Sequence, residues 1–266
     1  MTSTESKPLA VVTGASSGIG RELAKQLAKN GFDLLVNAED DRLDAAAAEL
    51  RGYGAWVRAV RADLRTAEGV EKVYAAVTAI GRPVDVAALN AGVGQGGAFL
   101  DNDLADELDI IDLNITSTVR LAKRLLHDMV VRDEGKVLIT SSVVATVPGS
   151  FQAVYNASKS FLQSFGQAVQ NELKDTRISI TVLTPGPTET DFFRRAGMRD
   201  TKVGASSKDD PARVAEQGFR ALVKGDPKVV ARSLGTRAQG VAAALLPDRL
   251  KAATHRQMAK PGPSSR

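Results

Sequence analysis

Tyr155 and Lys159 are the residues whose types and spacing first suggest a chemical role. They stand four apart in Tyr-Asn-Ala-Ser-Lys, in a stretch that predicts a helix, so their side chains project from one face about one turn apart. Tyrosine has an ordinary pKa of about 10, too high for a base near neutral pH, and a neighbouring ammonium lowers that pKa by favouring the phenolate. The pattern also occurs by chance on exposed helices. Together the two side chains predict proton transfer by Tyr155, with Lys159 as its electrostatic partner.

A pair of serines precedes this helix. Ser142 lies thirteen residues before Tyr155, at the end of a predicted strand over 136–141. Side chains at the carboxyl edge of a parallel sheet line the ligand crevice of open α/β folds, so the Ser142 hydroxyl is placed to hold a substrate oxygen. Ser141 is the alternative, and its structural role would be a hydrogen bond at the strand end.

Three glycines lie in Thr-Gly-Ala-Ser-Ser-Gly-Ile-Gly, between a predicted strand over 9–12 and a predicted helix over 21–30. Glycine permits positive φ and a close approach of the backbone, and the N–H groups at a helix start attract a pyrophosphate. The same residues are also compatible with a tight turn that binds no ligand. They also contain the Gly-x-Ser-x-Gly of a hydrolase nucleophile elbow, which needs a histidine base, and His127 and His255 are the two available.

Short apolar segments alternate with amphipathic ones along the first 183 residues. Further strands are predicted over 32–38, 55–62, 84–89 and 178–183, and further helices over 41–51, 68–80, 103–131 and 152–173. This alternation requires a parallel sheet covered on both faces, because each right-handed crossover places a helix against the sheet. We predict a doubly wound α/β Rossmann fold, a three-layer α/β/α single domain.

The domain boundaries follow from where the alternation starts and stops. The domain is predicted over 8–256, after a flexible N-terminus at 1–7 and before a flexible tail at 257–266. Within it, a substrate-loop region is expected at about 186–210 and a basic helical segment at about 232–256, after a last helix and strand.

The glycine pattern at the first turn, with Tyr-x-x-x-Lys downstream, resembles the short-chain dehydrogenase/reductase family over about residues 8–191. The resemblance implies hydride transfer between NAD(P)(H) and a carbonyl or secondary alcohol, with Tyr155 as general acid and base. It implies that Ser142 steadies the substrate oxygen and that Lys159 also holds the nicotinamide ribose. Asn114 matches the fourth catalytic position, where a helix kink exposes a backbone carbonyl to a water that leads to the lysine.

The resemblance also implies the cofactor contacts. Asp63 falls where the family contacts adenine, and Leu89-Asn90-Ala91-Gly92 resembles its Asn-Asn-Ala-Gly element, with Leu89 in place of the first Asn. Thr188 and Thr190, which follow a Pro-Gly pair, would bind the carboxamide of the nicotinamide. The expected cofactor-binding residues are Gly14, Ser16, Ser17, Gly18, Ile19, Gly20, Glu39, Asp63, Leu64, Asn90, Ala91, Gly92, Tyr155, Lys159, Pro185, Gly186, Thr188 and Thr190.

The residues that close the second strand should face the adenosine ribose, where an acid suits a 2′-hydroxyl and a basic residue suits a 2′-phosphate. The signal is mixed, because NAD-preferring members of the family usually carry Asp where Ala38 stands, and NADP-preferring members often carry Arg where Glu39 stands. Three consecutive acids at 39–41 would repel a phosphate, and Arg42 comes too late to capture it. The sequence therefore favours NAD over NADP.

Composition narrows the possible chemistry, partners and location of the protein. The chain has no cysteine and two histidines, which excludes thiolate catalysis and leaves no predicted metal site. Residues 226–266 hold eight Lys and Arg against two Asp, which predicts a solvated face or a subunit contact, with membrane-surface contact as the alternative; nucleic acid is not an expected partner. The N-terminus shows no signal peptide and no apolar run could span a membrane, so a cytoplasmic location is expected.

No sequence rule connects the expected substrate-contacting segments to a particular substrate. The expected contacts lie in 94–100, 143–151 and 192–207, and they predict a largely apolar pocket lined by Val143, Val144, Val147, Phe151, Phe192 and Phe193. An apolar small-molecule carbonyl or alcohol is the expected substrate, and the resemblance implies a homodimer or homotetramer. Two other functions stay open: a catalytically idle dinucleotide-binding regulator, and a C=C or C=N reductase on the same scaffold.

Overall fold

The structure is a computed structural model and describes residues 7–231 and 247–262. Within these residues, seven parallel strands form one sheet in the order β3-β2-β1-β4-β5-β6-β7. The strands are β1 Leu9–Thr13, β2 Asp33–Ala38, β3 Val57–Arg61, β4 Val86–Leu89, β5 Gly135–Thr140, β6 Ile178–Pro185 and β7 Lys228–Ala231.

Helices cover both faces of the sheet, because its central strands are apolar on both sides. Every residue of β1 and β2 is buried. The helices are α1 Gly18–Lys29, α2 Arg42–Arg51, α3 Ala67–Thr78, α4 Leu104–Ile110, α5 Ser117–Arg132, α6 Ala153–Glu172, α7 Phe192–Arg195, α8 Lys202–Ala205, α9 Pro211–Lys224 and α10 Asp248–Ala259.

Two hydrophobic clusters form the layers. Apolar side chains of α3, α5 and α6 fill one face of the sheet, with Val73 and Leu121 among them. Apolar side chains of α1, α2 and α9 fill the other, with Leu27 and Leu222 among them. The predicted doubly wound α/β fold is therefore confirmed.

The crevice for a ligand follows from the strand order. β1 pairs with β2 on one side and with β4 on the other, so the chain direction across the sheet reverses at β1. In open α/β sheets, ligands bind outside the carboxyl ends of the strands at such a point. The glycine turn after β1 lies at this edge.

The predicted helix over 103–131 is not continuous. A π-helical turn, Ile111–Thr116, separates α4 from α5. Such turns interrupt the regular hydrogen-bond ladder and are frequent at functional sites. Asn114 lies in this turn, at the position where the resemblance implied a kink.

The chain ends differ from expectation. A flexible tail was expected from residue 257, but α10 continues to Ala259, which is 1% exposed and packs against Phe193 and Met198. The Gly262 N–H then donates to Asp200. Of the expected flexible N-terminus, residues 1–6 lie outside the described residues, as do residues 232–246 of the expected basic segment. No helix in the described part of the chain is long and apolar enough to cross a membrane.

Candidate active site

The glycine turn packs too closely for side chains. Gly14 and Gly18 have φ of +67° and +55°, in the region that favours glycine. A Cβ on Gly20 would lie 2.2 Å from the Gly14 carbonyl oxygen, and one on Gly14 would lie 2.9 Å from the Ala91 Cα. The three glycines therefore let the start of α1 and the end of β4 approach each other across the cleft.

The start of α1 fits an anion. Its N-cap residue, Ser17, makes no side-chain capping bond, and the first turn carries no acidic residue. Uncapped N–H groups and the positive end of the helix dipole are the usual setting for a phosphate. Ser17, Gly18 and Ile19 line the cleft there, so the turn can hold the pyrophosphate of a dinucleotide.

Asn90 fixes the ends of three strands next to this turn. Its side chain donates to the Thr13 carbonyl at 3.3 Å and accepts from the Thr140 hydroxyl at 3.1 Å. Because β1, β4 and β5 are thereby joined at their carboxyl ends, Asn90, Ala91 and Gly92 form a firm wall of the cleft.

The predicted proton-transfer pair lies at the other end of the cleft, on the first turns of α6. Lys159 is 5% exposed and donates to the Thr140 carbonyl at 3.1 Å, which places its ammonium 5.8 Å from the Tyr155 ring centroid. Gly92 packs beside it, since a Cβ there would lie 3.2 Å from Lys159 Nζ. The α6 face thus directs both side chains into the cleft.

Burial dominates the ionisation of this pair. It raises the pKa of Tyr155 to about 12, with the neighbouring Ser142 hydroxyl acting in the opposite direction, and it lowers the pKa of Lys159 to about 8. The expectation that Lys159 lowers the Tyr155 pKa is therefore corrected, because desolvation of the phenolate sets the direction of the shift. Tyr155 carries its proton at neutral pH.

The two serines after β5 have different environments. The Ser141 hydroxyl donates to the Lys159 carbonyl at 2.7 Å and so ties α6 to the sheet. Ser142 has longer contacts: it accepts from the Val144 N–H at 3.4 Å and lies 3.5 Å from the Pro185 carbonyl. Ser142 is the serine that can exchange these weak contacts for a substrate oxygen.

Asn114 lies behind the cleft and does not line it. It is fully buried, donates to the Val93 carbonyl and the Ser158 hydroxyl at 2.9 Å each, and accepts from the Val93 N–H at 2.9 Å. The side chain therefore connects the π-helical turn to α6 and to the segment that follows β4.

An arginine network surrounds the ribose end of the cleft. Glu39 is bound by Arg65 and by Arg195 of α7, each at 2.9 Å. Arg42 joins Asp40 to Asp191, and its guanidinium lowers the pKa of both carboxyls. Sequence reasoning missed Arg195, because it follows Glu39 by 156 residues and no local signal marks it.

Asp63 also forms an ion pair with an arginine. It accepts from the Arg65 guanidinium and backbone, which holds the pKa of its carboxyl below the ordinary range. Asp63 and Leu64 line the cleft near the expected adenine position. The Asp63 carboxylate itself is paired with the Arg65 guanidinium.

The substrate end is apolar, although its lining differs from expectation. Val143, Val144, Phe192 and Phe193 line the cleft as predicted, and Val203 joins them. Val147 and Phe151 do not belong to the lining: Phe151 instead packs in the cluster with Ala259 and under the Arg256 guanidinium. Phe192 lies over the Tyr155 ring at 5.0 Å between centroids.

Nearly all expected site residues meet in one cleft. Those that line it are Gly14, Ser16, Ser17, Gly18, Ile19, Glu39, Asp63, Leu64, Asn90, Ala91, Gly92, Ser142, Tyr155, Lys159, Pro185, Gly186, Thr188 and Thr190. Gly20 and Asn114 support the cleft from behind. Neither histidine belongs to the lining, so the hydrolase interpretation lacks the histidine base that it requires; the Ser16 hydroxyl donates to Asp40 instead.

Comparison with known proteins supports the same conclusion. The profile of the short chain dehydrogenase family matches residues 8–200. The oxidoreductase UcpA of Salmonella typhimurium is 30% identical over 80% of this chain and 79% of its own length. A putative ketoacyl reductase of Streptomyces coelicolor is 35% identical over 70% of this chain and 73% of its own length.

A solved structure extends the likeness to nearly the whole chain. A short-chain dehydrogenase from Sphingobium yanoikuyae, solved in complex with NADPH, is 27% identical, covers 97% of this chain and 99% of its own, and superimposes with a TM-score of 0.77. With the glycine turn, the tyrosine and lysine pair and the sheet order all in place, the chain belongs to the short-chain dehydrogenase/reductase family of oxidoreductases.

Proposed function

We propose that this protein transfers a hydride between NAD(P)(H) and a carbonyl or secondary alcohol, with Tyr155 as the general acid and base. One observation carries the proposal: Tyr155, Lys159 and Ser142 face the same cleft as the glycine turn. A dinucleotide whose pyrophosphate lies on α1 extends along that cleft towards Tyr155. The chemistry of the bound cofactor is hydride donation or acceptance at its nicotinamide.

The ionisation of Tyr155 suits the direction of reduction. Because burial raises its pKa to about 12, the phenol holds a proton that it can donate to a substrate carbonyl oxygen. Ser142 donates a second hydrogen bond to that oxygen and stabilises its developing charge. Lys159 remains largely protonated at neutral pH and favours the phenolate that proton donation leaves.

Asn114 has a positioning role in this proposal. Its buried hydrogen bonds hold the π-helical turn against Ser158, one residue from Lys159. This contact keeps the lysine directed at the cleft and the turn in its irregular conformation, whose carbonyl groups are the proposed site of the water that returns a proton through Lys159.

For the cofactor, we propose NAD over NADP. Glu39 and Asp40 line the ribose end, where their charges favour a 2′-hydroxyl over a phosphate dianion. The arginine network partly offsets these charges, so the preference is expected to be small. A titration with NADH and NADPH tests it, and NADPH binding at least about tenfold tighter would overturn it; the relative from Sphingobium was solved with NADPH.

A homodimer or homotetramer is the proposed assembly. Leu104, Leu108 and Phe161 are large apolar side chains that the described chain leaves exposed on α4 and α6. Apolar side chains of this size commonly become buried between subunits. Light scattering coupled to size exclusion would measure the mass, and a monomer at micromolar concentration would overturn this proposal.

The decisive experiment for the reaction compares wild type with Tyr155→Phe in ketone and aldehyde reduction, followed by loss of reduced-nicotinamide absorbance. We expect kcat to fall about 10²- to 10⁴-fold with cofactor affinity retained, because general acid catalysis contributes about that much. Tyr53→Phe, an exposed tyrosine outside the cleft, is the matched control and should behave as wild type.

The outcomes separate the other functions. Cofactor binding without turnover of any carbonyl by wild type would favour an idle dinucleotide-binding regulator. Turnover of activated alkenes or imines, with Tyr155→Phe as active as wild type, would favour a C=C or C=N reductase.

A further inference from the structure

Phe151 has a left-handed backbone in the loop that leads into α6. Its φ is +64°, and in the described part of the chain Asp133 is the other non-glycine residue with a positive φ. Asp133 is the C-cap residue of α5, and aspartate tolerates this region because its short polar side chain can hydrogen-bond locally. A bulky residue is an outlier there. The conformation of Phe151 therefore requires contacts that hold it.

Contacts with α10 hold the Phe151 ring. The Arg256 guanidinium lies over the ring, 5.2 Å from its centroid, which is within reach of a cation–π attraction. The ring also packs against the cluster that contains Phe193 and Ala259. Strained backbone conformations persist only where the surrounding structure fixes them, and the docked α10 supplies such a constraint.

The backbone on either side of Phe151 is fixed as well. The Ser150 carbonyl lies 3.1 Å from His255 Nδ1, so two consecutive residues of α10 contact two consecutive residues of the loop. On the other side, the Gln152 N–H donates to the Gly149 carbonyl at 3.0 Å. The loop thus enters α6 along a path that α10 helps to define.

The Phe151 carbonyl connects this loop to the segment 94–97, which follows β4. It accepts from the Gly97 N–H at 3.1 Å, and the Gly96 N–H donates to the Ala196 carbonyl of the substrate loop at 2.9 Å. The direction of the Phe151 carbonyl depends on its own backbone angles. Relaxation to a negative φ would therefore turn this carbonyl away from Gly97.

The segment 94–97 in turn packs against aromatic rings at the substrate end. Gly94 lines the cleft, and a Cβ on it would lie 2.6 Å from the Phe192 ring and 3.0 Å from the Tyr155 ring. Because the backbone already lies this close to both rings, even a small displacement of the segment changes the space that a substrate can occupy.

We propose that Phe151 is a positioning residue for substrate binding. The docked α10 holds its ring, the held ring keeps the backbone left-handed, and that backbone fixes the segment 94–97 beside Tyr155. By this connection α10 affects the substrate end of the cleft, although none of its residues, 248–259, lines the cleft. The inference rests on the proposed function, since substrate binding is measured through carbonyl reduction.

The test compares Phe151→Ala with Phe151→Gly in the reduction of 2-octanone, an apolar ketone. Both variants lack the ring, but only glycine adopts a positive φ without steric cost. Phe151→Ala should raise KM about tenfold, because alanine leaves the left-handed region once the ring no longer holds it. Phe151→Gly should raise KM by about threefold or less, with cofactor affinity unchanged in both variants. A residue that contributed only a buried ring would give the reverse order, since glycine adds more freedom to the unfolded chain than alanine does.

Hydrogen exchange measures the same effect without turnover. The Gly97 N–H is bonded to the Phe151 carbonyl, so its exchange rate reports whether that contact is intact. We expect exchange at Gly97 to be about tenfold faster in Phe151→Ala than in wild type, and to change by about threefold or less in Phe151→Gly.

Arg256→Ala tests the part played by α10. It leaves Phe151 in place and removes the cation above the ring, so KM for 2-octanone should rise about threefold. Arg249→Ala, exposed on the same helix, is the matched control and should behave as wild type. Asp133→Ala and Asp133→Gly repeat the backbone comparison outside the cleft lining, and they should differ in melting temperature while both keep the wild-type KM.

The outcomes are distinct. Equal KM values for Phe151→Ala and Phe151→Gly, or the larger increase for glycine, overturn the inference. A wild-type KM in Arg256→Ala overturns the role of α10. If wild type binds cofactor but reduces neither 2-octanone nor any other carbonyl, the proposed function fails. Exchange at Gly97 then decides the inference by itself: faster exchange in Phe151→Ala than in Phe151→Gly supports it, and equal exchange overturns it.

Discussion

The two halves of the cleft are built in different ways. The cofactor half depends on one contiguous turn, Thr13 to Gly20, whose backbone packs against the end of β4. The substrate half is assembled from segments far apart in the chain: the start of α6, the short helices α7 and α8, and α10 near the C-terminus. Phe193, Met198 and Ala259 form the apolar cluster that joins them. We therefore expect pyrophosphate binding to depend on local backbone geometry and substrate binding to depend on long-range docking.

Of the substitutions that separate the two halves, Gly20→Ala should have the largest effect, and that effect should be on cofactor binding. Its Cβ would meet the Gly14 carbonyl oxygen at 2.2 Å and the Asn90 amide at 2.5 Å, both groups that hold the cleft wall. Overpacking of this kind costs about 1–3 kcal/mol, and here it displaces the start of α1, so we expect dinucleotide affinity to fall about 100-fold by fluorescence titration.

Gly81→Ala is the control for that substitution. Gly81 has a positive φ, +69°, unlike Gly20, and nothing lies within 4 Å of its Cβ position. It should cost about 1 kcal/mol of unfolding free energy through backbone strain and leave cofactor affinity unchanged. Equal affinities for the two alanine variants would contradict the assignment of the glycine turn.

Ala259→Glu should instead weaken substrate binding and leave cofactor binding nearly unchanged. It places a charge in the cluster with Phe193 and Met198, which releases α10 from the substrate loop. We expect KM for the carbonyl substrate to rise about tenfold, with cofactor affinity within about twofold of wild type. Ala253→Glu, exposed on the same helix, is the matched control. A loss of cofactor affinity as large as the loss in KM would show that the halves are not independent.

Lys159 lies where the two halves of the cleft meet, and its lowered pKa predicts that the rate of reduction depends on pH. Burial lowers its pKa to about 8, so the ammonium is present below that pH and is lost as the pH rises through it. Because the ammonium favours the phenolate that Tyr155 leaves on proton donation, reductive kcat/KM should decrease by several-fold between about pH 7 and pH 9. A profile that stays level over this range, with stable protein, would contradict this role of Lys159.

The smallest effect is expected at His255 of α10. It contacts the Ser150 carbonyl and the Asn156 side chain, and burial lowers the pKa of its imidazole. The folded state therefore resists protonation, and stability is lost as the pH falls below the unfolded value of about 6.5. We expect the substrate KM to rise about twofold from pH 7 to pH 5.5, and His255→Gln to abolish that change. The same rise in the variant would place its cause elsewhere.

The sequence by itself determined the glycine turn, the spacing of Tyr155 and Lys159, and the fold. Apolar alternation, three glycines at a strand-to-helix turn, and Tyr155 four residues before Lys159 are local patterns, and local patterns reflect the backbone period that produces them. This is why the doubly wound sheet was predicted, and why most of the expected site residues line one cleft.

The tertiary structure alone decided the substrate half and the ion pairs at the ribose end of the cleft. Arg195 reaches Glu39, Ala259 closes the cluster behind Phe193, and Phe151 turns away from the cleft. The Tyr155 pKa rises where a neighbouring lysine predicted a decrease, because desolvation depends on everything that packs around the phenol. Contacts between segments far apart in the chain, and the burial that they create, have no counterpart in local spacing, since they exist only once the chain has folded.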